Sequence, residues 1–131
     1  MMIDALKIAL NAADSKKASD IVAMDISGIA TFTDYFLICT GDSSRQMHAI
    51  ADEVEKQLAA NGIRPSHVEG YQNAEWILMD FVDLVVHIFS KSARSYYDLE
   101  RLWRDGKELD TDKIIQVRGT ERKSKNVQPV L

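Results

Sequence analysis

A single cysteine, Cys39, leaves neither a disulfide framework nor a cysteine-built metal cluster to be made, and it sits within an apolar strand pattern. No run approaches the roughly 18 apolar residues of a membrane span. Residues 1–10 are amphipathic, carry Asp4 and Lys7, and lack the basic flank and apolar core of a secretory signal. A soluble, cytoplasmic protein with no membrane role is expected. Basic charge is short as well. The net charge is −4, and residues 1–105 hold 10 Lys and Arg against 16 Asp and Glu, while residues 106–131 hold 6 against 4. An acidic body repels a phosphate backbone and suits a basic partner, although a mild acidic excess also serves solubility.

Catalytic patterns are equally scarce. Residues 40–44, Thr40-Gly41-Asp42-Ser43-Ser44, form a strand-to-helix turn that could cradle a phosphate, but no Walker lysine follows and Asp42 would repel the anion. Asp80 and Asp83 flank a hairpin turn, where Asp is favoured for its backbone hydrogen bonds, and no Asp-x-Asp pair stands beside them to hold two Mg²⁺ ions. His48, His67 and His87 fall on a helix flank, a loop and a strand, with no two at ligand spacing. Ser43, Ser44 and Cys39 lack a His and carboxylate in a nucleophile arrangement. An enzyme is not expected; a nucleotide-binding or nucleotidyltransferase-like enzyme using residues 41–44 is the alternative.

What is present is 131 residues with 46% hydrophobic content, enough for one domain with one core. Ile3, Leu6, Leu10 and Ala13 predict a helix over residues 2–16. Residues 21–26 and 35–40 read as strands, the second apolar almost throughout. Ser43 and Gln46 make a capping box for a helix striped by Met47, Ile50, Ala51, Val54 and Leu58, which ends at Asn61-Gly62. A loop over residues 68–71 leads to a hairpin, and Tyr96, Leu99 and Trp103 share a face of a last helix that begins near Ser92 and ends at Asp105-Gly106. Residues 1–106 thus read as one α/β domain with a mixed sheet flanked by helices, and residues 107–131 as a mostly disordered, basic tail.

The hairpin is the most informative segment. With a tight turn at Val82-Asp83 and Phe81 opposite Leu84, alternation puts Ile77, Met79, Phe81, Leu84, Val86 and Ile88 on one face. Trp76, Leu78, Asp80, Val85, His87 and Phe89 take the other. The first set is a core face. The second mixes large apolar groups with polar handles, which fits a docking surface, yet helices covering both faces would produce the same pattern.

Five blocks of this sequence, in order, resemble the Iojap family of bacterial ribosomal silencing factors. They are residues 33–46 (Thr33-Asp34-Tyr35-Phe36 through Arg45-Gln46), Glu69-Gly70, Trp76-Ile77-Leu78-Met79-Asp80, Val85-Val86-His87-Ile88-Phe89, and residues 94–103 from Arg94 to Trp103. The resemblance implies a nucleotidyltransferase-like fold without catalytic acids, no cofactor, and a non-enzymatic translation repressor. It also implies binding to the large-subunit ribosomal protein L-fourteen, steric exclusion of the small subunit when nutrients are short, and a homodimer when free. Carried onto this chain, the expected partner contacts are Trp76, Asp80, Glu69, Tyr71, Leu78, His87 and Phe89, with Arg94, Tyr97 and Glu100 at the rim. The basic tail is expected to add a weak peripheral contact to ribosomal RNA.

Overall fold

Backbone pairing arranges the chain around a six-stranded sheet in a computed structural model that describes residues 2–115. In chain order the elements are α1 (Met2–Ser15), β1 (Ser19–Asp25), β2 (Tyr35–Thr40), α2 (Ser44–Ala60), β3 (His67–Glu69), β4 (Trp76–Asp80) and β5 (Leu84–Phe89). Then follow α3 (Lys91–Tyr97), α4 (Leu99–Leu102), β6 (Lys107–Leu109) and α5 (Thr111–Ile114). The strand order is β3-β4-β5-β2-β1-β6, with β2 and β5 parallel and every other neighbouring pair antiparallel. The expected α/β class with a mixed sheet is what the chain forms. No helix among the described residues is long and apolar enough to cross a membrane.

Local chemistry accounts for the best-defined helix. Ser43 is the N-cap of α2 and accepts a hydrogen bond from the Gln46 backbone N–H, while Gln46 reaches back to accept from the Asp42 N–H rather than closing the box on Ser43 itself. At the other end Gly62 takes φ +78°, and the N–H groups of Ile63 and Gly62 return to the carbonyls of Leu58 and Ala59. That is a Schellman stop, which satisfies two of the last carbonyls of the helix. The five stripe residues of α2 are all buried.

Two cores sit on opposite faces of the sheet. Helices α1 and α2 cover the first, where Leu6, Leu10, Leu37, Ile50 and Leu58 pack against Ile77, Met79, Leu84, Val86 and Ile88. The second is smaller, with Met24, Phe36, Ile38, Val85 and Phe89 lying under Ala93 and Leu99 of α3 and α4. The hairpin register is as expected, since Trp76 faces Phe89 and Asp80 faces Val85 across the strands. Phe81 closes the turn by donating its N–H to the Leu84 carbonyl.

Three expectations need correction. The loop expected over residues 68–71 begins as β3, which pairs with β4. The single last helix is two, because Asp98 adopts φ 46° and ends α3 before α4 starts. The domain also continues past residue 106: β6 pairs with the free edge of β1, α5 packs on α1 and β1, and Ile115 is buried in the first core. An open strand edge offers hydrogen-bonding groups to even three residues, and Ile114-Ile115 carries the apolar area that seats them. The remainder of the expected tail, residues 116–131, lies outside the described residues.

Candidate functional site

Strand register gathers the candidate residues at one end of the second sheet face. Glu69 pairs with Leu78 and His67 with Asp80, so these four side chains share that face with Trp76. Across the next strand boundary the same face continues through Phe89, His87 and Val85 of β5. Helices α3 and α4 lie mainly over the central strands, where Phe36, Ile38 and Phe89 are buried, and reach β4 through Tyr97. Over β3 and β4 the face is open: Trp76, Leu78 and Asp80 are half-buried, and Glu69 and His67 are exposed. The hairpin's second face is therefore covered over one half and open over the other.

The open half has a rigid floor. Trp76 touches Phe89 and Tyr97, with ring centroids 5.0 and 4.7 Å apart, and its indole N–H donates to His87 Nδ1 at 3.1 Å. Burial with no compensating partner pushes the His87 imidazole down to about 3, so it is neutral and able to accept that bond. Asp80 accepts from the Val82 N–H at 2.8 Å, which fixes its carboxylate above the turn, and Glu69 pairs with His67. Gly70, at φ +76°, passes so close to Trp76 that a Cβ there would lie 2.0 Å from the Trp76 carbonyl oxygen. Only glycine lets the β3–β4 connection hug the strand that carries the tryptophan.

The ten expected contact residues divide on this geometry. Trp76, Leu78, Asp80 and Glu69 are brought together and reachable, and Tyr97 stands beside them at 50% exposure. His87 and Phe89, at 3% and 0% exposure, lie beneath the surface as its support and cannot themselves touch a partner. Arg94 is not a rim residue either. Its guanidinium donates twice to one Glu100 carboxylate oxygen, at 3.0 and 2.6 Å, and once to Thr40 Oγ1 at 2.8 Å, clasping α3 to α4 and to the end of β2. Tyr71 turns to the opposite side of the sheet, where its ring stacks on His48 of α2 and its hydroxyl donates to Asp52 at 2.8 Å. That hydrogen bond, which only the protonated phenol can donate, holds its pKa above the ordinary range. Helical spacing set Tyr96 on one face with Leu99 and Trp103, yet Leu99 is buried while Tyr96 and Leu102 are exposed at 81% and 74% on α3 and α4. The expected face does not persist, because the break at Asp98 separates one short helix from the other.

The residues 41–44 turn is occupied by its own chain. Ser43 and Gln46 engage the first amides, Lys91 stands 3.5 Å from Asp42, and Gln46 also donates to the carbonyls of Lys16 and Lys17. The sequence does contain one Asp-x-Asp pair, Asp110 and Asp112, in the stretch read as tail. Asp110 serves there as the N-cap of α5, accepting from the Asp112 N–H at 3.1 Å.

The chain is thus a mixed-sheet α/β domain whose second face is open, aromatic and acidic over β3 and β4, and comparison with known proteins gives it a family. The family model described as "Ribosomal silencing factor during starvation" matches residues 2–130. The ribosomal silencing factor RsfS of Bacillus subtilis is 50% identical over 107 residues, covering 82% of this chain and 91% of that protein. A crystal structure of a protein from Chromobacterium violaceum superposes with a TM-score of 0.77 at 35% identity, over 79% of this chain and 86% of that one. More distantly, "Mitochondrial assembly of ribosomal large subunit protein 1" of Mus musculus is 31% identical over 91 residues, 67% of this chain and 40% of that protein. The chain belongs to the ribosomal silencing factor family.

Proposed function

We propose that this protein silences ribosomes without chemistry: it binds the large subunit through ribosomal protein L-fourteen and, seated there, blocks the small subunit from joining. The observation that carries the reading is the open half of the second sheet face. Interfaces combine a few large anchors with polar matches, and Trp76 and Leu78 supply area while Asp80 and Glu69 supply charge for a basic ribosomal protein. Tyr97 completes the rim. The family description ties this role to starvation, and the name of the mouse relative places a homologue with the large subunit. A body roughly 25–30 Å across, by the usual scaling of size with chain length, is large enough to obstruct a docking surface by occupancy alone. In this reading the protein acts in the cytoplasm and is a homodimer when free, and residues 116–131 add a salt-sensitive contact to ribosomal RNA.

The test is co-sedimentation with separated ribosomal subunits, adding small subunits last. The protein should travel with large subunits and reduce the joined-ribosome peak, and Trp76→Ala should do neither while remaining folded. Wild-type protein that binds neither subunit would refute the proposal.

A further inference from the structure

His87 is a polar side chain in the floor beneath the open face, and its placement is costly for a purely structural role. It is 3% exposed, its ring meets Phe36 edge-on at 4.6 Å and lies parallel to Phe89, and among the described residues its Nε2 has no hydrogen-bond partner. An apolar residue would fill the same space without burying an unsatisfied nitrogen. The polar service it does perform is to accept the Trp76 indole N–H, diagonally across the β4–β5 ladder. That bond points the N–H of a half-buried tryptophan at a buried acceptor, and so leaves whatever part of the indole is exposed without a free N–H donor.

We infer that His87 is a positioning residue for the Trp76 anchor, holding the indole in the orientation in which a partner meets a preformed apolar wedge with no free N–H donor. The inference rests on the proposed docking role of this face and adds the chemistry of the partner's receiving site: an apolar recess that offers Trp76 no acceptor, bordered by cations for Asp80 and Glu69. A side chain already fixed before association loses less freedom on binding, so removing the hydrogen bond should weaken the complex even though His87 never touches the partner.

Two readouts on the full chain test this, in a Trp103→Phe background so that Trp76 is the only indole. The first is solvent exchange of the Trp76 indole proton by NMR, which needs no partner. It should be slow in the reference protein, fast in His87→Leu, and slow again in His87→Asn, whose Oδ1 occupies the place of Nδ1. The second is affinity for isolated large subunits. His87→Leu should weaken it about two- to tenfold, His87→Asn should restore it, and in a Trp76→Phe background His87→Leu should cost nothing further. If His87→Leu does not fold, His87→Gln, which carries its acceptor one bond too far out, makes the same comparison. Unchanged indole exchange, or an equal loss of affinity with and without the indole N–H, would overturn the inference. Failure of the docking role itself is seen separately, as Trp76→Ala binding large subunits like wild type; the exchange experiment still decides whether His87 positions the ring.

Discussion

The two halves of the second sheet face share one alternation pattern and have opposite fates. Under α3 and α4, Phe36, Ile38 and Phe89 are buried as a conventional core, whereas one strand further out Trp76, Leu78 and Asp80 stay half-open with Glu69 beside them. Nothing in the strand sequences separates the halves. The difference lies in the reach of the covering layer: α3 has seven residues and α4 four, and the bend at Asp98 keeps both over the sheet centre. A sheet face stays open when the chain that could cover it stops short.

That comparison can be broken most forcefully from the closed half. Phe89→Ala should destabilise the fold by about 3–5 kcal/mol in urea unfolding, the range for a fully buried aromatic, and a loss under about 1 kcal/mol would mean that the closed half is not core. Gly70→Ala comes next, because a Cβ would strike the Trp76 carbonyl at a positive φ. It should cost about 2 kcal/mol or more and disturb Trp76 fluorescence, whereas a neutral result would deny the close approach. On the open half, Trp76→Ala should remove about 2 kcal/mol or more of partner affinity while lowering stability less than Phe89→Ala does. The reverse ranking would make Trp76 a core residue.

Acid sharpens the comparison further. His87 has a folded value of about 3 against an ordinary 6.5, so between those values the unfolded chain binds more protons. The stability it contributes is therefore full above pH 6.5 and is lost as pH falls towards 3, with a slope approaching about 1.4 kcal/mol per pH unit. His87→Asn should flatten that part of the stability profile, and an unaltered slope would show that His87 is not the group being titrated. The smallest effect is expected for Asp80→Asn, which keeps the acceptor for the Val82 N–H and deletes the charge. Association with large subunits should slow about threefold at low salt and converge with wild type as screening rises. Identical rates throughout would remove Asp80 from the docking charge.

Much of the architecture was legible because it is set by near neighbours. The α2 cap and stripe, the Phe81–Leu84 turn and the two faces of the hairpin all follow from residues within a few positions of one another. What escaped was decided at a distance. His67-Val68-Glu69 and Lys107-Glu108-Leu109 are too short and exposed to show an alternation, and they become strands because β4 and β1 present free edges. That Trp76, Leu78 and Asp80 share one sheet face was legible, but the depth of that face was not. Alternation puts His87 and Phe89 beside Trp76, and only the position of α3 and α4 shows that they lie beneath it. Tyr71 and Arg94 misled for the same reason, since their partners Asp52, His48 and Thr40 are remote in sequence.

The single parallel pair has a consequence for how the chain comes to be. β2 is the apolar centre of the sheet, yet its parallel neighbour β5 follows about 50 residues later, a long loop to close before that contact repays its entropy. On a translating ribosome, at about 5–20 residues per second, Phe36, Leu37, Ile38 and Cys39 wait several seconds with one edge unpaired. In the interval the β1–β2 hairpin, with α1 and then α2 laid over its first face, can bury that face while the edge awaiting β5 stays open. The domain should thus assemble outwards from its amino-terminal half, with the open face, built on the hairpin of β4 and β5, among the later parts to exist.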